Sequence, residues 1–193
     1  MRMTEDLRSR KKLVAMRRVQ QHALLMFAQH GFENVTVEQI ALSAEVAPIS
    51  VYRYFGTKEG IAIWDEYDPP IAEEISRRLG RLSPLGAVRD GLVAVADQMY
   101  DPRHDLERIQ LIHREPSLRA AADENSRVLG TMLVSLFTEP PVSMDRFDAD
   151  VLARAIVGVL AAAVDEWQTT NGEQSLRHVL LDAFGVLEKA TGA

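Results

Sequence analysis

Ile49, Ser50, Arg53, the pair Tyr52 and Tyr54, and Lys58 crowd into ten residues, and together they have the chemistry needed to read and hold a nucleic-acid duplex. Arg53 carries paired donors that match guanine O6 and N7, Ser50 can donate or accept, and Ile49 can touch a thymine methyl. The Tyr52 and Tyr54 hydroxyls and the Lys58 ammonium suit phosphate oxygens. Lys58 falls in the first turn of a predicted helix, where backbone N–H groups also attract anions, although a cation there opposes the helix dipole. Rival chemistries lack their parts. The chain has no glycine-rich phosphate loop, no G-x-S-x-G elbow and no H-E-x-x-H, and its nearest metal-like spacing, Asp101, His104 and Asp105, is broken by Pro102. Cysteine is absent, which excludes a thiol nucleophile, a disulfide framework and cysteine-ligated metals, and which fits a reducing compartment. No catalytic residue, metal site or cofactor is expected.

These residues need helices to place them. Met16, Val19, Ala23 and Phe27 repeat at three and four residues, one face of an amphipathic helix that Gly31 stops. Thr36-Val37-Glu38-Gln39 is a capping-box pattern, so a short helix over 37–44 should bury Val37, Ile40 and Ala41. Pro48, acceptable in a first turn, opens another over 48–55, and Thr57 caps a fourth. Helical spacing puts Val51 and Phe55 on one face, with Val46 before them, to pack against Phe27 and Ile40. Ser50, Arg53 and Tyr54 must then point elsewhere. Two short helices joined by a tight turn, after a longer helix and a basic arm, form a helix-turn-helix.

The chain is 193 residues with a net charge of −6, which alone argues against a nucleic-acid partner. Residues 1–60, however, carry nine Lys/Arg against six Asp/Glu, a balance of +3 that leaves −9 for the rest. The first 18 residues hold +5 of their own, either an arm drawn to phosphates or a solvated tail. No apolar run follows that arm, so no leader is expected. No stretch nears the ~18 apolar residues of a membrane span, and a cytoplasmic location follows. Beyond residue 58 the pattern predicts helices over 58–81, 84–100, 103–114, 117–137, 146–170 and 173–190, with no strand alternation. The first is interrupted by Asp68-Pro69-Pro70, which acts either as a pivot or as the end of one helix and the start of another.

The string TVEQIALSAEVAPISVYRYFGTKEG, Thr36 to Gly60, resembles the signature of the TetR family, with its Ile-Ala pair, Ala-x-Val turn and Tyr-x-Tyr-Phe end before a Lys-Glu pair. The likeness reaches back over Leu13 to Phe32 and its Phe27-Ala28-x-x-Gly31-Phe32 ending. It implies that Thr36 and Lys58 hold phosphates, that Tyr52 and Tyr54 touch the DNA backbone, and that Pro48, Ile49, Ser50 and Arg53 face the groove. It implies an all-α fold: a three-helix DNA-binding domain over 1–60, and a helical-bundle effector and dimerisation domain over 61–193. The implied function is a transcriptional regulator, a repressor that binds a palindromic double-stranded operator as a homodimer and is released by a small apolar effector. Two residues depart from the pattern. Glu45 replaces the usual turn glycine, where a β-carbon at positive φ costs about 1 kcal/mol, and Ala47 stands where a capping Ser or Thr is common. Glu45 either weakens DNA binding by its charge or pairs with Arg17 or Arg18.

In the second domain, Val151, Leu152, Ala155, Ile156, Val159, Leu160 and Ala163 form an apolar stripe with Gly158, Ala161 and Ala162 in its gaps, and Val179, Leu180, Ala183, Phe184 and Leu187 form another. Two such helices per subunit would build a four-helix interface, the alternative being packing within one subunit. The stretch RIQLIHREPSL with the later Trp167 near Gly172 resembles acyl-CoA-responsive members. An effector pocket is therefore placed at Val95, Met99, Ile109, Ile112, Met132 and Trp167, with His113, Asn125 and Gln168 as positions for a ligand's polar group or as satisfied helix residues. Acyl-CoA is one candidate effector. A helical protein-interaction module and, behind it, an all-α enzyme are the competing readings.

Overall fold

The computed structural model describes the backbone over residues 2–98 and 102–191 and side chains over 8–97 and 103–190. Ten helices follow in order among these residues: α1 (Arg2–His30), α2 (Val37–Ser43), α3 (Pro48–Phe55), α4 (Lys58–Ile63), α5 (Asp68–Arg78), α6 (Pro84–Gln98), α7 (Pro102–Arg114), α8 (Pro116–Thr138), α9 (Arg146–Thr169) and α10 (Leu176–Thr191). None of them is long and apolar enough to cross a membrane. The chain divides into two compact units, one of residues 1–66 with Leu111–Ala122, the other of Tyr67–Gln110 with Asp123–Ala193. The expected boundary lay at residue 60. The first unit runs six residues further because Ile61 and Ala62 of α4 are fully buried in its core.

In the first unit α1 supplies Val19, Ala23 and Phe27, α2 Val37, Ile40 and Ala41, and α3 Val51, all buried together with Phe32, Val35 and Leu118. The local signals work as the sequence implies. The Thr36 hydroxyl accepts from the Gln39 N–H at 3.2 Å while the Thr36 N–H donates to Gln39 Oε1 at 2.8 Å, completing the capping box. Thr57 accepts from the Gly60 N–H at 3.0 Å and so starts α4.

The break expected at Asp68-Pro69-Pro70 sits one turn earlier. The helix stops at Ile63, Trp64 turns to ψ 129°, and the prolines lie inside the first turn of α5. A proline cannot donate to the carbonyl four residues back and collides with it, so Pro69 and Pro70 act on Asp65 and Glu66 rather than on themselves. The carbonyls of Ile61 and Trp64, freed by the break, are taken by the buried Gln20 amide at 2.9 and 2.7 Å. The last helix also begins later than expected, at Leu176 rather than residue 173. Ser175 caps it by accepting from His178 N–H, and the Gln174 carbonyl is spent on the Trp167 indole at 3.1 Å.

The second unit packs α5 on α6, and α10 on both α6 and α9. Ile75, Val88, Leu133, Phe137, Ile156, Trp167 and Phe184 form its centre. α5 and α6 meet closely at Gly91, where a β-carbon would lie 2.8 Å from Ile75 Cγ1 and 3.1 Å from its backbone nitrogen.

Gly60 is the least replaceable backbone position of the first unit, since a β-carbon there would fall 2.0 Å from the Phe55 carbonyl oxygen. Gly60→Ala must push α3 and α4 apart. It should lower unfolding free energy by about 1 to 3 kcal/mol, the usual cost of overpacking, read as an earlier midpoint in chemical denaturation.

Candidate nucleic-acid interface

α3 is tethered from beneath. Val51 is 1% exposed, and Val46 and Phe55 pack at the margin of the same core. Phe55 is braced further by the Trp64 ring, edge-on at 5.8 Å. Ala47 offers no side-chain cap, and the helix starts on Pro48 in its first turn, where the missing N–H would have had no helical partner. With that face buried, Pro48, Ile49, Tyr52 and Arg53 are exposed and Ser50 is half-buried. Ile49 reaches 73% exposure, high for an apolar side chain.

The eight expected residues of this face differ in how far they are already committed. Arg53 Nη2 donates to Ser50 Oγ at 3.3 Å, and its guanidinium lies 5.3 Å from the centre of the Tyr54 ring, which Lys12 from α1 also approaches at 5.7 Å. Ser50, Arg53, Tyr54 and Lys12 thus form one basic cluster. Lys12 is an addition that the motif alone did not identify. Thr36 is occupied as a helix cap. The Lys58 ammonium donates to the Phe32 carbonyl at 2.8 Å and sits 4.2 Å over the Phe32 ring, tying α4 to the end of α1. An ammonium has three donors, so two remain.

Tyr52 donates its hydroxyl to Glu38 Oε1 at 3.0 Å, joining α3 to α2. Glu38's own backbone N–H, and next the Tyr52 hydroxyl, hold its carboxyl below the usual carboxylate range, while the bond to Glu38 pushes the Tyr52 phenol up. Glu38 carried no signal in the sequence, because its partner is fourteen residues away on another helix. Glu45 has φ 52°, the left-handed conformation expected from its place in the turn. Its carbonyl accepts from Arg18 Nη2 at 3.2 Å and its carboxylate stands 3.8 Å from Arg18 Nη1, so of the two bases weighed, Arg18 is the partner. Arg17 pairs with Glu66 instead.

The residues chosen for an effector pocket are spread differently. Ile109 and Trp167 are buried in the core of the second unit, Val95 on α6 is buried as well, and on α8 Met132 is half-buried and Asn125 exposed. Ile112 and His113 belong to the first unit, where Ile112 packs against the core and the His113 carbonyl accepts from Arg119 at 2.7 Å. Met99 lies outside the described residues. The second unit also has an open cleft of about 900 Å³ between α8 and α9, walled by Arg127, Gly130, Val134, Phe147, Ala153 and Val157 among others. None of the seven expected pocket residues that are described lines it.

Residues 21–63 match the pattern described as bacterial regulatory proteins of the tetR family, and residues 82–192, more than half the chain, match the MftR C-terminal domain. The chain belongs to the TetR family. Among curated proteins it is 30% identical to the HTH-type transcriptional regulator TcmR of Streptomyces glaucescens over 107 residues, 51% of this chain and 47% of that one. It is 30% identical over 104 residues to MftR of Mycobacterium tuberculosis, named as a mycofactocin biosynthesis transcriptional regulator, covering 51% of each. These matches span about half the length of the curated relatives. Two solved structures share the fold. SmeT in complex with triclosan has a TM-score of 0.64 at 15% identity, over 92% of this chain and 91% of that one. FadR of Thermus thermophilus in complex with lauroyl-CoA has a TM-score of 0.54 at 20% identity, over 89% and 92%. The TetR architecture of a helix-turn-helix domain followed by a helical domain is therefore the fold of this chain.

Against the TetR pattern, Glu45 is the departure with a structural cost. Glu45→Gly removes the β-carbon from a left-handed residue, a relief of about 1 kcal/mol. The exposed Arg18 pair it gives up contributes little. The expected result is a higher thermal midpoint together with tighter duplex binding, both measurable on the purified variant.

Proposed function

We propose that this chain is a ligand-responsive repressor that binds a palindromic operator as a homodimer and lets go when its second unit takes up a small apolar molecule. The observation that carries the reading is α3 itself: an exposed Ile49 and Arg53 with a half-buried Ser50 above a buried Val51, in an otherwise acidic chain. Pro48, Ile49, Ser50 and Arg53 face the major groove, and Thr36, Tyr52, Tyr54 and Lys58 meet phosphates. The dimer is supported by the outer side of α9 and α10. Of the stripe read in the sequence, Ile156 and Ala163 turn inward, whereas Val151, Gly158, Ala161 and Ala162, with Phe147 before them and Val186 on α10, are exposed. An apolar and small-residue surface of this kind is what a four-helix interface between two copies requires.

The effector is argued from chemistry shared by the fold neighbours, whose bound molecules are triclosan and lauroyl-CoA. Both present a large apolar body. An acyl-CoA or a similar apolar ligand, seated among Val95, Ile109, Met132 and Trp167, would favour a conformation with the wrong spacing between recognition helices. A coupling of about 1 to 3 kcal/mol would loosen DNA some 5- to 150-fold. Ile109 and Trp167 are packed in the core and Val95 is buried, so uptake requires the surrounding helices to move. A cytoplasmic location fits this role.

Binding to a pseudo-palindromic duplex should weaken by about 10³ to 10⁵ between 50 and 200 mM salt. Arg53→Ala should lose about 1 to 3 kcal/mol on the specific site and little on random DNA. A salt-independent wild type would remove the DNA-binding reading, and equal losses on both duplexes would make Arg53 a phosphate contact. Titrating acyl-CoAs of graded chain length into the operator complex should release DNA. Unchanged affinity at every chain length would rule out that ligand class.

A further inference from the structure

Tyr52 brings a single proton to the DNA-facing surface, and a phosphate offers acceptors only. In this structure that proton is already given to Glu38 Oε1 at 3.0 Å. The carboxylate stays ionised at neutral pH, because its own backbone N–H, the Tyr52 hydroxyl and the Thr36 side chain all favour the charged form. Its position in the first turn of α2 adds the pull of the helix N-terminus. Lys58 is a useful contrast. Its ammonium also spends a donor within the protein, on the Phe32 carbonyl, yet it has two more to give. Tyr52 has no second proton.

We propose that Glu38 occupies the place of a DNA phosphate on the Tyr52 hydroxyl, so that it sets a threshold that any duplex must overcome. Rested on the DNA-binding reading above, this makes duplex docking an exchange. The hydroxyl must leave one anion for another, and the displaced carboxylate is left close to the phosphate that replaced it. Because Tyr52 meets a phosphate, which every duplex offers, that cost is the same on the operator and on random DNA, and the operator's base contacts leave the larger surplus over it. Glu38 thereby limits the overall affinity for DNA without touching a base. Glu45, the other carboxylate singled out in this surface, lacks this role because Arg18 already faces it.

The test measures binding of wild type, Glu38→Gln, Tyr52→Phe and the double variant to a random duplex and to the operator at 50 mM salt. Glu38→Gln should tighten binding to random DNA about tenfold, through lost repulsion and a hydroxyl held only by a neutral amide oxygen, and only about threefold in the Tyr52→Phe background, where there is no hydroxyl to exchange. The gain on the operator should equal that on random DNA, as expected of a phosphate contact. Equal gains in the two backgrounds would reduce Glu38 to a plain surface charge and overturn the proposal, as would unchanged or weaker binding by Glu38→Gln. Without DNA, the Tyr52 phenol should ionise at lower pH in Glu38→Gln than in wild type, and an unmoved titration overturns the proposal independently of any duplex. A wild type with no salt-dependent binding would instead sink the DNA-binding reading together with this inference.

Discussion

Burial of Val51 is the constraint on which the rest of the α3 surface depends. A helix of eight residues is too short to be stable by itself in water, so α3 exists because its inner face completes a core begun by α1 and α2. Once Val51 is fixed and Phe55 leans on Trp64, the 100° step between helical residues leaves Ile49, Tyr52 and Arg53 no orientation but outward. The exposed Ile49 is tolerated for the same reason. Turning it inward would bring out Val51, and with it the hold on α2.

Polar bonds within the first unit then convert a packed core into a fixed surface. Gln20 closes the carbonyls at the end of α4, Lys58 holds the carbonyl of Phe32, and Arg18 holds the turn carbonyl of Glu45. Each joins elements far apart in sequence. Each also takes a side chain whose charge or donor suggests DNA and gives it an internal task. Thr36 shows the same economy, since the hydroxyl that begins α2 is the one expected to meet a phosphate. The surface proposed to meet a duplex is consequently narrower than the motif implies, and is centred on the cluster of Arg53, Ser50, Tyr54 and Lys12.

The second unit solves a different problem. Its helices must bury a large core around Trp167, Phe137 and Phe184 and still keep an apolar outer side on α9 and α10. Alternating small and large residues allow both. Ala153, Ile156 and Ala163 fill the inside while Gly158, Ala161 and Ala162 lie outside with little bulk. The departing carbonyl of Gln174, claimed by the Trp167 indole, shows the core reaching out to set where the last helix begins.

Local signals were legible from the sequence to within a residue or two, because their physics is local. The Thr36 and Thr57 caps, the Pro48 start, the Gly31 stop and the strained turn at Glu45 each involve atoms a few residues apart. The helix-turn-helix and its outward residues followed from those signals plus the 3.6-residue period. What the sequence could not supply was any pairing across helices: Glu38 with Tyr52, Gln20 with α4, Lys12 with Tyr54, and the choice of Arg18 over Arg17. The proline break was misplaced by one turn for a related reason, since a proline acts on the carbonyl four residues before it and not at its own position. The effector residues were least legible, because spacing along one helix says which residues share a face but not whether that face meets a cavity or a packed neighbour. The sequence by itself determined the elements and the sign of the surface, both encoded in neighbours along the chain. Tertiary structure decided which polar groups are spent inside, because a hydrogen-bond partner is a fact of distance in space.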